Sequence, residues 1–538
     1  MSPAALSPLL RGGLKYILTL TIVCVWQLGA LAEEEKHDWG MEEEEYIDSF
    51  FTPPVVTPSP PDSADVKRLE HKAFWRASAE VVGFNLGLWA YDRFIEKGEY
   101  AYISWNSIKE NFRHGFEWDN DYLGTNMFAH PYSGSLYYNA GRSNGYNFWQ
   151  SSIFAIGGSA MWEMFMEKEY PSTNDIIATP IGGSAIGEVL YRTSDLVIDD
   201  RATGAERFGR ELAGFVISPM RGFTRIVTGR AWQHRATSGK RFGIPPVRLS
   251  FSIGTRLLLY HHQRNLSQAG VTGRISIEYG EKYEEKTRQP YDYFTFQLDM
   301  DVMKSQPFLS RLEIQGRLLS KELLNRESAN LTLGMYQHFD YFDSDTITKK
   351  DHFDPLPESL VPYKFGTPAS VGAGTLGRYT FKNLWEIEGY AHVNAVVLGG
   401  ILSDFYHNYH RNYNWGSGFA LKGGFRWSMP RMGITAGANA RFYRIYTLKG
   451  YALDPMEHPQ FNQANVQGDR SNASFFNLNA NFNFRIKGNL WMTTIVDWYR
   501  RYSHYPDITL KLDDLTYTGS PILTSNQIGL KIMLSYML

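Results

Sequence analysis

One cysteine stands in 538 residues, Cys24, and it lies inside the apolar run that opens the chain. A chain cleaved after that run has no thiol, which excludes disulfides, thiolate metal sites and a cysteine nucleophile. Val23 stands before Cys24 where a lipoprotein site wants a small residue. An excess of one charge is missing too. With 54 basic against 56 acidic residues, nothing points to nucleic acid as a partner. Past the opening run there is no stretch of about 20 apolar residues, so no segment reads as a transmembrane helix. Neither a GxSxG elbow nor an HExxH helix occurs, which removes two common hydrolase sites.

Aromatic residues, by contrast, are plentiful at 15% of the chain, while total hydrophobic content is a modest 43%. A membrane barrel gives that balance, because half of each strand faces lipid and half faces the lumen. The order of segments fits. Arg11 and Lys15 precede an uncharged run from Tyr16 to Ala32 that ends Ala30-Leu31-Ala32 before Glu33, the pattern of a secretory signal over residues 1–32. The alternative is a retained anchor, against which the shortness of the run and the acidic stretch after it both count. Residues 33–65 are Glu-rich and then Pro-rich, the composition of a disordered leader. Residues 66–235 carry apolar residues at spacings of three and four and predict a helical domain.

Near residue 245 the period falls to two and stays there to residue 538. Val247, Leu249, Phe251 and Ile253 alternate with Arg248, Ser250, Ser252 and Gly254; Phe476, Leu478, Ala480, Phe482 and Phe484 alternate with a ladder of asparagines. Twelve such strands are predicted, starting near 246, 270, 291, 308, 329, 366, 384, 415, 431, 471, 489 and 524, with an even number returning the C-terminus to its starting side. Tight turns at 382–383, 428–430 and 487–489 alternate with longer connections at 344–365, 401–414, 448–470 and 506–523. The final LKIMLSYML resembles the C-terminal assembly signal of bacterial outer-membrane barrels, with Leu538 in place of the usual Phe. The predicted fold is therefore α+β: an N-terminal helical domain followed by an antiparallel transmembrane β-barrel of about 12 strands.

The inward face of the barrel carries Arg248, Arg256, Arg311, Arg317, Arg426, Arg441 and Arg485 against several Asp and Glu, an excess of positive charge. Two readings follow: a salt-bridged plug, since an unpaired buried charge is costly, or an anion-preferring channel. Outer-membrane phospholipases are also twelve-stranded, but no His-x-Ser arrangement with a supporting Asn is found here.

Two stretches of the helical domain share one phrase, IGGSAMWE at 156–163 and IGGSAIGE at 181–188. On helices, Ser159 lies one turn from Glu163 and Ser184 one turn from Glu188. The stripe Ser151, Ala155, Ser159 on one helix and the pair Gly183, Gly187 on the other suit close helix packing, which would bring Glu163 and Glu188 together. A Glu167–Arg192 bridge is available on the next turn. Two such glutamates could share a proton or, with His130, hold a divalent metal; the alternative is packing alone, with the acids satisfied by neighbours. Ser172 to Asp175 reads as a capping box, Pro180 as an interruption of the helix that follows, and His130 before Pro131 as an element boundary.

Asn126, the run HPYSGSLYYNAGRSNGYNFWQSS, GSAMWE, EKEYPSTND and GGSAIGE together resemble a bacterial domain of unknown function, family 3943, over about residues 100–210. The resemblance implies no activity. Asn126, Tyr132, Arg142, Ser159, Ser184 and Arg192 are candidate ligand contacts beside the candidate catalytic residues His130, Glu163, Asp175 and Glu188. A His, a Glu-bearing helix and a Ser-x-x-Asp helix start are also similar to the layout of VanZ-like small membrane proteins. The expected protein lies in the outer membrane with its helical domain in the periplasm, capping the barrel mouth and binding or gating a small or lipidic ligand. The alternative is an enzyme acting on envelope lipids or glycans. Expected partners are outer-membrane lipids and the barrel assembly machinery, not nucleic acid. Cofactor, metal and oligomeric state are not legible.

Overall fold

A computed structural model describes residues 58–538 apart from 261–266, 284–288, 346–360, 383–384, 406–410, 449–469, 507 and 513–514. The signal and most of the acidic leader lie outside the described residues. The end of the expected leader is not disordered: Ser59 pairs with Ile244, a helix starts at Ser63, and Asp65 is buried, accepting from Gly239 N and Thr237 Oγ1.

Among the described residues, eight α-helices come first: α1 Ser63–Leu69, α2 Phe74–Tyr91, α3 Trp105–His114, α4 His130–Ser143, α5 Phe148–Phe165, α6 Asp175–Val197, α7 Gly204–Ile217 and α8 Pro219–Val227. Then come β1 Val247–Tyr260, β2 Ser267–Tyr279, β3 Phe294–Val302, β4 Leu309–Arg326, β5 Ala329–Asp343, β6 Lys364–Phe381 and β7 Trp385–Leu402. The chain ends with β8 Tyr413–Met429, β9 Ile434–Thr447, β10 Asn472–Lys487, β11 Leu490–His504, the short β12 Ile508–Leu512 and β13 Leu515–Gly519, and β14 Ile522–Met537.

Twelve of these strands form a closed antiparallel barrel in sequence order, and β14 pairs β1 to seal it. Each starts within three residues of its expected position. The β12–β13 hairpin stands outside the barrel as part of the last long connection. Tight turns such as Gly488 between β10 and β11 define a short-turn end, and the long connections define the other. Strands β4, β6 and β7 run 18 residues each, well beyond the roughly ten that cross a bilayer.

The lumen is filled rather than open over its long-loop half. Phe342, Phe365, Tyr443, Phe475 and Tyr499 form a buried aromatic layer there. Next to it lies a layer of ion pairs: Arg256 with Asp301, Arg274 and Lys531 with Asp299, Arg311 with Glu313 and Asp497, Arg441 with Glu313, and Lys422 with Asp340. Arg317 bonds Asp292, Arg248 and Arg426 both reach Glu278 and Glu388, and Arg485 donates to the Pro430 carbonyl in the turn before β9. Of the two readings of the basic lumen, this pairing favours the plug. A cavity of about 700 Å³ remains at the short-turn end, lined only by residues from Arg248 onward.

The helical domain is not at that mouth. It lies against the outside of the barrel, as β5 makes plain. Tyr336, His338, Asp340 and Phe342 point inward. The outward row starts as lipid-facing Leu331, Leu333 and Met335, exposed, and continues as Gln337, Phe339 and Tyr341, all buried. Helices cover the latter three: Gln337 Nε2 donates to the Ile181 carbonyl at 2.8 Å and to Ser184 Oγ at 3.2 Å, and a Cβ on Gly182 would come within 3.0 Å of the Phe339 ring. The same core joins Met127, Tyr138, Phe148 and Val189 to outward-facing Ile277, Tyr279, Phe294, Ile314, Leu398 and Trp415. The covered strip runs diagonally from the short-turn ends of β2 and β3 to the long-loop ends of β5 to β8. The expected cap over the mouth is thus replaced by a body docked on the wall. Apolar side chains pointing out of a strand bury equally well in lipid or under a helix.

Candidate functional site

The repeated phrase is a packing device. Both copies face α4, which lies between α5 and α6. A Cβ on Gly183 would strike the backbone of Gly134, and one on Gly158 would strike the ring of Tyr137. Ser159 Oγ donates to the Asp175 carbonyl at 3.3 Å, tying α5 to α6.

The two glutamates that end the phrase go to different places, and the expected Glu163–Glu188 pair does not form. Glu188 is fully buried and saturated: Arg142 Nε and Nη2 bind it at 2.7 and 2.9 Å, Arg192 Nε at 2.8 Å, and Tyr138 OH at 2.7 Å. Burial alone would raise its pKa, but the two guanidinium charges and the tyrosine hydroxyl hold it down at about 2. Arg192 also donates to the Pro290 carbonyl, so the Glu167–Arg192 bridge is not made. Arg142, Arg192 and Glu188 thus satisfy one another. Ser184 belongs to the wall contact already described, and Tyr132 stacks on Phe128.

Glu163 joins a second group that the spacing did not show. Residues 115–121 lie beside residues 171–173, linked by Glu117 N to the Pro171 carbonyl at 2.8 Å and Thr173 N to the Glu117 carbonyl at 2.6 Å. This pairing carries Asp119 to the start of α6. His130 Nε2 lies 3.7 Å from both Asp175 Oδ2 and Asp121 Oδ2. Asp119, His130 and Asp175 each offer a ligand atom, all within 4.8 Å of one another. Asn126 Nδ2 donates to Asp119 Oδ1 at 2.6 Å, and Asn174 Nδ2 to Asp119 Oδ2 at 2.9 Å. The barrel closes the site: Tyr413 OH accepts from Asn126 at 2.7 Å, and Arg411 Nη1 donates to the Asp119 carbonyl at 2.7 Å.

Half of the expected capping box is present. Ser172 Oγ accepts from Asp175 N at 3.2 Å, but Ser172 N is taken by Glu163 Oε2 at 2.7 Å, which leaves the Asp175 carboxyl free for the cluster. Nor does Pro180 interrupt α6. It sits in the second turn, where only the Ile176 carbonyl loses a partner.

The charges of the cluster are strongly coupled. Burial, then the neighbouring Asp119, pushes Asp175 well up. Asp119 is opposed by burial, yet its contact with Asp175, the charge of His130 and the two asparagine amides keep it below its ordinary range. Burial works against a charged His130, but Asp175, Asp121 and Glu163 outweigh it and raise it well above its usual value. Glu163 is raised by burial and by Glu167, and Glu167 reaches about 8, chiefly from burial. The carboxyl groups of Asp119, Asp121 and Asp175 thus stand around one imidazole, a set of donors that suits a divalent cation bound through oxygen and one nitrogen. Asp119 is the member that sequence reasoning missed: it lies in a loop, outside any motif.

Residues 115–220 match the profile of the family described as "Domain of unknown function (DUF3943)". The match contains Asp119, His130, Glu163, Asp175 and Glu188, but neither the barrel nor Arg411 and Tyr413. No curated protein matches the chain. Among solved structures, the chain is similar to an anion-selective porin from Comamonas acidovorans (9% identity, 55% of this chain, 99% of that one, TM-score 0.21). A FadL homologue of Pseudomonas aeruginosa (8%, 54% and 89%, TM-score 0.22) and the toluene transporter TodX of P. putida (6%, 54% and 89%, TM-score 0.18) are similar to a like degree. With TM-scores this low, the cargo of those channels says nothing about this lumen.

Proposed function

We propose that the chain is an outer-membrane barrel protein whose helical domain binds a small or lipidic envelope ligand, anchored by a divalent cation held between Asp119, His130 and Asp175. The observation that carries this reading is the convergence of those three side chains, with Glu163 and Glu167 nearby, in the same interior that pairs Glu188 with Arg142 and Arg192. Gating through the lumen has less support, because among the described residues none of the helical domain lines the cavity at the short-turn end.

The test is metal analysis of the purified full-length protein. A stoichiometric divalent metal that is lost in Asp119→Asn and His130→Ala, together with loss of a co-purifying lipid or small molecule, is the expected result. Metal-free protein whose bound molecules are unchanged by both substitutions would contradict the reading.

A second reading, an enzyme modifying envelope lipids or glycans, is favoured by the close approach of the Asp119 and Asp175 carboxyl groups beside His130, an arrangement able to give and take a proton. Asp175→Asn separates the two readings. Altered envelope lipids or glycans in cells, with ligand binding by the purified protein retained, indicates catalysis.

A further inference from the structure

The helices of the domain are built inside out. On α2 the buried residues include Glu80 and Asn85, whereas the exposed ones are Phe74, Trp75, Ala79, Val82, Gly83, Leu86, Gly87 and Tyr91, without a charge among them. On α5 the buried face holds Ser151, Ser159 and Glu163 while Trp149, Ile153, Ile156 and Phe165 face out. On α7 and α8 the arginines Arg207, Arg221 and Arg225 are buried, while Phe208, Leu212, Phe215, Phe223, Ile226 and Val227 are exposed. A domain bathed in water shows the reverse pattern.

Helices α2 and α5 lie side by side in the same direction. Ala73 N bonds the Asn144 carbonyl at their starts, Asn85 Nδ2 bonds the Gly158 carbonyl midway, and Lys168 N bonds the Tyr100 carbonyl beyond their ends. Each is 18 residues long, about 27 Å at 1.5 Å per residue. Charge appears only past the ends of this apolar face: His71 and Lys72 at one, and Lys97, Glu99, Lys168 and Glu169 at the other. No helix among the described residues is long and apolar enough to cross a membrane, because each keeps polar residues on the side turned to its neighbours. The apolar face is nonetheless close to the thickness of the hydrocarbon layer, roughly 30 Å.

The barrel says what covers this face. The domain is docked on outward rows of β2 to β8 that, a few residues further along the same strands, are exposed and apolar, as at Met335, Val393 and Val397. A body seated on a lipid-facing wall takes the place of lipid there, and its far side meets the lipid that remains. We infer that the exposed faces of α2, α5, α7 and α8 lie against the acyl chains of the bilayer, so that the helical domain is an intramembrane body attached to the barrel wall. The occupant is lipid rather than a protein partner, since the apolar surface goes round several helices and continues onto the wall.

The test uses the full-length chain in a Cys24→Ser background, with single cysteines at Ile153 and Leu86. Val496→Cys on the open barrel wall serves as the lipid-facing control and Lys109→Cys as the water-facing one. Each is labelled with a bimane fluorophore and reconstituted into vesicles of ordinary or brominated phosphatidylcholine. Ile153→Cys and Leu86→Cys are expected to lose as much fluorescence in brominated lipid as Val496→Cys, and in cell envelopes to react as slowly with a hydrophilic maleimide. Fast maleimide reaction without quenching, like that of Lys109→Cys, overturns the inference in favour of water. Slow reaction in envelopes without quenching in vesicles overturns it in favour of a protein cover. If heat-modifiable gel mobility shows either variant misfolded, Ala79→Cys on the same face gives the same two readings. The outcome is independent of metal at the cluster, so its failure and that of the proposed function are distinguishable.

Discussion

The barrel lumen and the interior of the helical domain both bury many charged groups, but they treat them differently. In the lumen, acids and bases meet as pairs between layers of side chains, as with Arg274, Lys531 and Asp299 or Lys422 and Asp340. The helical interior splits into two parts. Around Glu188 it is matched in the same way; around His130 it gathers acids in excess. Matched charge fills space and fixes register. Surplus charge of one sign, kept at the joint between two bodies, is what a site for a counter-ion requires.

The comparison breaks most visibly at the matched sets. Arg142→Met strips Glu188 of a bidentate partner in a dry interior and is expected to destabilise the helical domain by about 3–5 kcal/mol, read from its urea midpoint in detergent. Lys422→Met leaves Asp340 unpaired and should lower barrel stability similarly, by about 3 kcal/mol. Adding Asp340→Leu should restore most of that loss, which an irreparable double variant would refute. In the surplus region the same kind of change matters less. Glu167→Gln, in chelator-treated protein, should cost no more than about 1 kcal/mol, since burial and the neighbouring acids already disfavour the glutamate's charge.

The smallest effect depends on pH. Glu80 on α2 accepts from Asn144 and Thr224, and burial raises it to about 7, against the smaller pull of those bonds and of Arg76 and Arg230. Because its folded pKa lies above its ordinary value near 4.5, the folded state holds the proton more tightly. The stability this gives is complete below the ordinary value and is lost as pH rises towards 7. Glu80→Gln should therefore leave the unfolding midpoint nearly unchanged at pH 4 and raise it at pH 8. Equal shifts at both would show that Glu80 does not titrate on folding.

The barrel was legible because a period of two, with apolar residues kept to one side over so many strands, suits a closed sheet in lipid and little else. Its charged interior was legible for the same reason: alternation assigns Arg256 and Arg441 inward without further information. The docking was not. Ile314, covered by the helical domain, and Ile532, exposed on the open wall, are the same residue at equivalent outward positions, and alternation cannot tell lipid from helix. Gln337, polar on an outward row, was the available hint. Within the helical domain the repeat drew attention to Glu163 and Glu188 as equals. Their difference lies in Arg192, one turn on along the same helix, and in Arg142, which meets Glu188 only through the fold; in the same way Asp119 reaches His130 and Asp175 through the pairing of two loops.

The central claim, that the helical domain is fixed to the outer wall of the barrel, is tested most directly by a cross-link. Ser184→Cys on α6 and Gln337→Cys on β5, whose native side chains touch at 3.2 Å through the far end of the glutamine, should be joined by a short bifunctional methanethiosulfonate in full-length protein in intact envelopes, in a Cys24→Ser background. High-yield cross-linking, absent from both single variants, is the predicted result. A double variant that takes up the reagent at both cysteines without being bridged, while the barrel is folded, would place the helices elsewhere and contradict the account.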